Sequence, residues 1–225
     1  MGDLRVLNLY CGLGGNRKLW QDCQVVAVEN NIEVADAYQE FFPEDKVIVG
    51  DAHQYLINNF TQFDFIWSSP PCQSHSRMTK ATRHKIKKYP DLSLYQEIIF
   101  LNNFFKGVFV VENVNPYYQP LIKPTAIVGR HLFWSNVSFN AHNVKSPANF
   151  INETSIGGKN KLMEWLEIYL EKNIYLDGNH CPAQVFRNCV HPILGNSIFN
   201  QLRKIKFKTN NGCETVECQV EMNYG

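Results

Sequence analysis

The feature that most constrains the fold of this chain is a rhythm repeated over its first 115 residues. A short apolar run ends at a polar or glycine-containing turn, and a stretch with the apolar spacing of a helix follows it. Strands that alternate with helices in this way predict an α/β fold with helices on both faces of a parallel sheet. Ligands of such sheets bind at the carboxyl ends of the strands, so we expect the chemistry to lie directly after each strand.

Apolar runs and turn residues predict the individual elements. The predicted strands are 4–10, 25–29, 47–49, 63–68, 108–111 and 130–136. The predicted helices are one opening near Arg17 and others over 32–41, 92–105, 161–172 and 196–207, with Leu162, Leu166, Tyr169 and Leu170 on the apolar side of the fourth.

The composition excludes several classes of protein. Of the 225 residues 44% are hydrophobic, which excludes a wholly disordered chain, and a net charge of +1 indicates no global field for a polyanionic partner. The sequence opens without a charged and apolar leader and has no apolar stretch of about 20 residues, so we expect a soluble, cytoplasmic protein and no membrane partner. Seven scattered cysteines without a CxxC pair predict reduced thiols.

A glycine-rich turn follows the first strand. Cys11-Gly12-Leu13-Gly14-Gly15 lets a ligand approach the backbone closely. Glu29 ends the second strand, where it can accept hydrogen bonds from ribose hydroxyls, and Asp51 follows the third, where it can contact an adenine amino group. Together they predict a cleft for a nucleoside cofactor. The alternative for each acid is that it caps the helix that follows.

The passage Ser68 to Ser76 delivers a cysteine, Cys72, to the end of the fourth strand. Two prolines stiffen the turn before it, so a thiol there is placed to react; the alternative is a small buried residue in a loop. Six of the next twelve residues, 77–88, are Lys or Arg. This run is either a solvated face or a surface that holds phosphates over the thiol.

Glu112 stands at the end of the fifth strand, after a continuously apolar run. If the fifth strand neighbours the fourth, Glu112 and Cys72 face one pocket. A thiol and a carboxyl group in one pocket form a nucleophile and an acid. The alternative is a helix cap or a surface acid.

The order of four short motifs resembles the DNA (cytosine-5) methyltransferase family, of which this chain is an unusually short example. The motifs are Asn8-Leu9-Tyr10-Cys11-Gly12-Leu13-Gly14-Gly15, then Pro71-Cys72-Gln73, then Glu112-Asn113-Val114, and then Gly195-Asn196-Ser197. The resemblance implies the Rossmann-like fold of the S-adenosylmethionine-dependent methyltransferases. That fold has a mostly parallel seven-stranded sheet with one reversed strand and helices on both faces, here with a small target-recognition lobe.

The resemblance also implies roles for individual residues. Cys72 is the expected covalent nucleophile, Glu112 the group that binds the cytosine N3 edge, and Arg130 an arginine that helps to hold the base. The residues expected to line the site for S-adenosylmethionine, and for its product S-adenosylhomocysteine, are Tyr10, Gly12, Leu13, Gly14, Gly15, Glu29, Asn30, Asp51, Ala52, Ser69, Pro71, Asn196 and Ser197. The residues expected to contact DNA are Gln73, Ser76, Arg77, Lys80 and Arg83.

The sequence departs from the family pattern at several positions. Asn8 stands where the family usually has aspartate, Tyr10 where it has phenylalanine, and Asn30 where a larger apolar residue commonly packs on the adenine. The arginine-rich signature around Arg130 is thin. These departures bear on cofactor affinity and on the assignment of Arg130.

The resemblance predicts three regions and a partner. Residues 1–136 form the catalytic and cofactor-binding core, 137–190 the small target-recognition region, and 191–225 a segment that returns to the core. Double-stranded DNA is the expected substrate of a monomer. The alternatives are methylation of tRNA, a non-catalytic DNA-binding relative, and one half of a two-chain enzyme with a separate recognition subunit.

One cluster of histidines and cysteines could in principle form a tetrahedral zinc site. His180, Cys181, Cys189 and His191 lie close in sequence, but adjacent ligands such as His180 and Cys181 rarely bind one ion and the spacing fits no common zinc finger. We therefore expect no metal.

Overall fold

The computed structural model describes residues 4–76, 89–147, 156–176 and 181–205. Its centre is a seven-stranded sheet. The strands are β1 (Leu4–Leu9), β2 (Cys23–Glu29), β3 (Lys46–Val49), β4 (Phe65–Ser68), β5 (Val108–Val114), β6 (Ala126–Val128) and β7 (His131–Ser135).

The strand order is β3-β2-β1-β4-β5-β7-β6. The first five strands in this order pair in parallel, and β7 runs antiparallel to both β5 and β6. β7 is therefore the one reversed strand, and the predicted fold is confirmed. The strand order changes direction at β1: β2 and β3 lie on one side of it, and β4 and β5 lie on the other. In doubly wound sheets a ligand crevice opens at such a switch point.

Six α-helices cover the sheet within the described residues. They are α1 (Ile32–Phe41), α2 (Ala52–Asn59), α3 (Ser93–Phe104), α4 (Ile156–Leu166), α5 (Gln184–Arg187) and α6 (Pro192–Leu202). Asn31 caps α1 by accepting a hydrogen bond from the Val34 amide, and Asp51 caps α2 in the same way from Gln54.

Two apolar cores lie on opposite faces of the sheet. On one face Leu56 of α2 and Ile98 of α3 pack against Leu7 and Phe109. On the other face Phe199 of α6 stacks on Trp20, with ring centroids 4.5 Å apart. Burial on both faces explains why the parallel strands read as continuous apolar runs.

The helix predicted near Arg17 is wrong, because residues 10–19 form a run of turns. Asn16 donates to Asn8, Arg17 forms an ion pair with Asp45 at 2.8 Å, and Lys18 donates to the carbonyl of Glu167. Each of these side chains is held by a different element, and these contacts override the local preference for a helix.

The helix predicted over 161–172 begins earlier, at Ile156, and ends at Leu166. Glu167 adopts a left-handed φ of 53°, and the Ile168 amide donates to the Met163 carbonyl, which together end the helix. Tyr169, predicted on its apolar side, is exposed. The last helix is likewise shifted toward the N-terminus, to Pro192–Leu202.

The described part of the region 137–190 packs on the core. Phe139 lies in the core on the α6 face, and Leu162, Leu166 and Phe186 form a third core with Leu13 and Val34. Among the described residues no helix is both long and apolar enough to cross a membrane.

Candidate active site

The glycine-rich turn leaves β1 and shapes one wall of the crevice. Gly12 and Gly14 have positive φ angles of 52° and 75°. A Cβ on Gly14 would lie 2.3 Å from the Phe42 ring, whereas a Cβ on Gly12 would meet nothing within 4 Å. The space above Gly12 is therefore open to a ligand, while Gly14 is required by packing.

Glu29 at the end of β2 organises this wall. Its carboxylate accepts hydrogen bonds from the Gly12 amide at 3.1 Å and from the Asn30 and Asn31 amides at 3.0 Å. An ionised carboxylate offers about four acceptor sites, so capacity remains for a hydroxyl group of a ligand. The N-cap of α1 is Asn31, and Glu29 therefore does not cap that helix.

Asp51 does cap α2, as the alternative interpretation held, and its side chain remains exposed at the end of β3. The adjacent Ala52 is buried, as is Leu13. The side chains of Leu13 and Ala52 belong to the core, so only the backbone of these two residues is available to a ligand.

Tyr10 carries a hydroxyl group where its family pattern has none, and the structure gives that group a partner. The Tyr10 hydroxyl donates to Glu97 of α3 at 2.6 Å. Glu97 is fully buried and also accepts from the Ser68 hydroxyl at 2.6 Å and from His53 Nδ1 at 3.1 Å. Burial, and then proximity to Glu97, raise the pKa of Tyr10 far above its usual range, so its hydroxyl stays protonated.

Asn8 and Asn16 join β1 to the glycine-rich turn. Asn16 Nδ2 donates to Asn8 Oδ1 at 2.8 Å, and both residues are buried. A Cβ on Gly195 would lie 2.6 Å from the Asn16 Cα, so α6 presses directly on the turn. The predicted Asn196 and Ser197 follow Gly195 in α6, and their side chains accept from Asn200 at 2.9 Å and from Gln201 at 3.5 Å within the same helix.

Cys72 lies in a turn that is tied to the end of β5. Asn113 Nδ2 donates to the Pro70 carbonyl at 3.0 Å, and the Cys72 carbonyl accepts from the His75 and Ser76 amides. Ser68 pairs with Val111, so the turn leaves β4 beside Glu112. The thiol is partly exposed.

Glu112 is 6% exposed and is held by a residue that sequence reasoning missed. His131 Nδ1 lies 2.6 Å from Glu112 Oε1. In the β5–β7 register Glu112 pairs with Phe133, and residue 131 shares the face of residue 133 because side chains alternate along a strand. Only the strand register reveals this contact, because the sequence offered no partner for Glu112 and predicted for Arg130 only a role in holding the base.

Arg130 makes different contacts. Its guanidinium donates to the Arg187 carbonyl at 2.8 Å and to the Cys189 carbonyl at 3.5 Å. Burial raises the pKa of the Cys72 thiol, the Glu112 carboxylate raises it further, and the Arg130 charge opposes both. Arg130 therefore supplies positive charge near Cys72, while His131 binds Glu112 directly.

A model of the C-5 cytosine-specific DNA methylase family matches residues 4–120, which is more than half of the chain. The chain belongs to this family. Members of the family use S-adenosylmethionine as the methyl donor. The matched residues include the glycine-rich turn, Glu29, Asp51, Cys72 and Glu112.

Two similar proteins illustrate the relationship. The human tRNA (cytosine(38)-C(5))-methyltransferase is 30% identical over 155 residues, which are 56% of this chain and 39% of the human protein. The chain thus spans about two fifths of the length of this relative. The Entamoeba histolytica methyltransferase EhMeth has a similar fold, with a TM-score of 0.51 at 10% identity over 90% of this chain and 99% of that chain.

The residues of this methylase-family chain fit the family's cofactor. The open space above Gly12, the spare acceptor capacity of Glu29 and the exposed carboxylate of Asp51 line one wall at the ends of β1, β2 and β3. A ribose and an adenine require acceptors of this kind. Ser69 and Pro71 lie at the neighbouring end of β4, and the Ser69 amide donates to the Leu9 carbonyl.

Only some of the side chains that we expect to contact nucleic acid lie within the described ranges. Gln73 is exposed, and Ser76 forms a β-bridge with Pro116. Arg77, Lys80 and Arg83, with the rest of the basic run, lie outside the described residues.

Cys181, Cys189 and His191, the described residues of the possible zinc cluster, bind other groups in the protein. Arg187 donates to Cys181 Sγ, Cys189 Sγ donates to the Val185 carbonyl, and His191 Nε2 lies 2.9 Å from the Trp165 carbonyl. His180 lies outside the described residues. Within the described ranges no group of three or more such side chains is arranged to hold a metal ion.

Proposed function

We propose that this protein transfers a methyl group from S-adenosylmethionine to carbon 5 of cytosine in a nucleic acid. The observation that carries the proposal is the attachment of the Cys72 turn to β5 through Asn113 and Pro70, which sets a thiol beside the buried Glu112. A nucleophile and an acid at adjacent strand ends are the two groups that activation of cytosine requires.

Carbon 5 of cytosine is a poor nucleophile, so the ring must first be activated. In the proposed reaction the Cys72 thiol gives its proton to solvent and its sulfur bonds to C6, while Glu112 donates a proton to N3. The C5–C6 π electrons move into a C4–C5 double bond, and the resulting enamine makes C5 nucleophilic. Bound S-adenosylmethionine supplies the electrophilic methyl group. The C5 proton then leaves to a base, the Cys72–C6 bond breaks to restore the aromatic ring and the thiolate, and Glu112 takes back the N3 proton.

The supporting residues have separate tasks in this scheme. His131 holds Glu112 Oε1, which leaves Oε2 for the base. Arg130 favours the thiolate of Cys72 by its charge. The target base is unreachable within a stacked duplex, so it must flip out at a cost of a few kcal/mol. Gln73 and the basic run 77–88 are our candidates for contacts that offset this cost.

We propose double-stranded DNA as the first substrate, because the chain belongs to the C-5 cytosine-specific DNA methylase family. A second candidate is tRNA, which the identity with the human tRNA methyltransferase favours. The same Cys72 and Glu112 chemistry serves both substrates. The difference lies in what surrounds the flipped base.

The test is transfer of labelled methyl groups to mixed-sequence duplex DNA and, in parallel, to unmodified tRNA. The wild-type chain is compared with Cys72→Ala and Glu112→Gln. We expect label on one substrate, none with Cys72→Ala, and retained S-adenosylmethionine binding in that variant. Bisulfite sequencing of a plasmid from cells that express the protein then reports the position and sequence context of methylation.

A covalent trap tests the chemistry directly. An oligonucleotide with 5-fluorocytosine retains fluorine at C5, so the Cys72–C6 bond cannot break and a stable adduct is expected. Normal turnover by Cys72→Ala would refute the scheme, and so would an adduct mapped to another cysteine. Cys23→Ala is the matched control because Cys23 lies on β2, away from this pocket.

A further inference from the structure

A chain of hydrogen bonds runs from α3 to the end of the Cys72 turn. The Leu121 amide donates to the Tyr95 hydroxyl at 3.2 Å, and the Tyr95 hydroxyl donates to the Tyr118 hydroxyl at 3.1 Å. The Tyr118 hydroxyl lies 2.6 Å from His75 Nδ1. We call Tyr95, Tyr118 and His75 the hydroxyl relay.

The protonation states of His75 and Tyr118 set the donor and the acceptor of each hydrogen bond in the hydroxyl relay. Burial lowers the pKa of His75, so its ring is neutral near pH 7. The Tyr118 hydroxyl accepts a hydrogen bond from Tyr95 and has one proton of its own to donate. The lone pair of His75 Nδ1 accepts that hydrogen bond. Burial, with Tyr95 adding to it, raises the pKa of Tyr118, and its proton therefore stays in place.

His75 closes the turn that begins at Cys72. Its ring is only 1% exposed, and its amide donates to the Cys72 carbonyl at 3.0 Å. Its own carbonyl accepts from the Tyr117 amide at 3.1 Å, and the next residue, Ser76, bridges to Pro116. The ring of His75 is thus the side-chain anchor of a short backbone pairing with the segment after β5.

The two ends of the turn are held by different means. Asn113 holds the end at Pro70, and the hydroxyl relay holds the end at His75. Cys72 lies between these two anchors. We therefore expect loss of either anchor to let the thiol move relative to Glu112.

We propose that His75 is a positioning residue for Cys72, and that Tyr118 and Tyr95 act through it. This inference rests on the function proposed above for Cys72 and Glu112. A misplacement of about 1 Å in a catalytic group can lower a rate by about 100-fold, so the relay sets the rate of the addition step without touching the base.

The test uses Tyr118→Phe, His75→Leu and His75→Asn. Tyr118→Phe removes only the hydroxyl, His75→Leu removes the acceptor, and His75→Asn restores an acceptor near the position of Nδ1. Tyr55→Phe is the matched control, because Tyr55 lies on α2 outside the relay. Two rates are measured: methyl transfer, with kcat separated from KM for S-adenosylmethionine, and alkylation of Cys72 by iodoacetamide, followed by peptide mass mapping.

We expect the two rates to change in opposite directions. In Tyr118→Phe and His75→Leu, kcat falls by about 10- to 100-fold while KM for S-adenosylmethionine is unchanged. Alkylation of Cys72 becomes several-fold faster because the freed thiol is better hydrated. His75→Asn recovers most of kcat. The buried Cys11 and Cys189 stay unreactive, which excludes general unfolding.

Each outcome decides between the two proposals. If methyl transfer is absent from the wild type but the alkylation pattern holds, the positioning role stands and the proposed function falls. If methyl transfer is present and Tyr118→Phe matches Tyr55→Phe in both rates, the positioning role is wrong. A rise in alkylation of Cys11 together with Cys72 also overturns it, because the effect is then loss of structure.

Discussion

His131 Nδ1 lies 2.6 Å from Glu112 Oε1, and both side chains are buried between β5 and β7. The contact crosses the only antiparallel pairing that β5 makes in the described sheet. In the proposed reaction Oε1 stays with the imidazole, and Oε2 is the oxygen that meets the base. The reversed strand β7 therefore contributes the group that orients the acid.

Replacement of His131 should impair the proposed reaction through Glu112. We expect His131→Ala to lower kcat by about 10- to 100-fold, since a hydrogen bond to a carboxylate contributes roughly 1.5–3 kcal/mol. His131→Asn retains a donor near Nδ1 and should recover much of the rate. The measurement is steady-state methyl transfer, with the exposed His142→Ala as control. Equal rates for His131→Ala and the wild type would contradict this role.

The reactivity of Cys72 should depend on pH and on Arg130. Because burial and Glu112 raise the pKa of the thiol, alkylation should be slow at pH 7 and should accelerate as pH rises above the ordinary thiol range. Arg130→Gln removes the opposing charge, so the midpoint of the alkylation profile should move to still higher pH. Arg130→Lys keeps the charge and should move it less. If the alkylation midpoint of Arg130→Gln lay at lower pH than that of the wild type, Arg130 would not lower the pKa of Cys72.

Gly15 should tolerate no side chain. A Cβ there would lie 2.4 Å from the Val190 carbonyl and 2.8 Å from the Cys189 Cβ, so Gly15→Ala must separate the glycine-rich turn from the segment before α6. We expect a loss of about 1–3 kcal/mol in the free energy of unfolding, measured with urea. Gly50→Ala meets nothing within 4 Å and should change stability by less than about 1 kcal/mol. Similar losses in both variants would argue against the close contact.

The His53–Glu97 contact should make stability depend on pH. The hydrogen bond to Glu97 raises the pKa of His53, although burial opposes it. The folded-state pKa lies above the unfolded value, so the stabilisation is fully present below about pH 6.5 and is lost as pH rises through the folded pKa. As pH rises from about 6.5 through the folded-state pKa of His53, the free energy of unfolding of the wild type should therefore fall relative to that of His53→Asn.

Two measurements check this expectation. Urea unfolding at a series of pH values reports the difference in stability, and NMR titration of the His53 ring reports its pKa. In Glu97→Gln the His53 pKa should fall. An unchanged titration in that variant would show that Glu97 is not the cause.

The sequence predicted the elements whose signals are local. The helix predicted over 32–41 matches α1, because Asn31 provides the cap and Pro43 follows its end. The helix predicted near Arg17 failed, because Arg17 binds Asp45 and Lys18 binds the carbonyl of Glu167, and such distant partners leave no local pattern. A distant partner is also present where α4 ends, since Lys18 donates to the carbonyls of Leu166, the last residue of the helix, and of Glu167.

By itself the sequence determined the order of the motifs and their location after successive strands, because apolar periodicity and glycine turns act over a few residues. The predicted locations of Cys72, Glu112 and Glu29 after their strands follow from these local signals. Only the tertiary structure decided which groups touch them. His131 contacts Glu112, Glu97 binds Tyr10, and the hydroxyl relay anchors the Cys72 turn. The physical reason is that these contacts join residues 19 or more positions apart, and strand register and helix packing determine them.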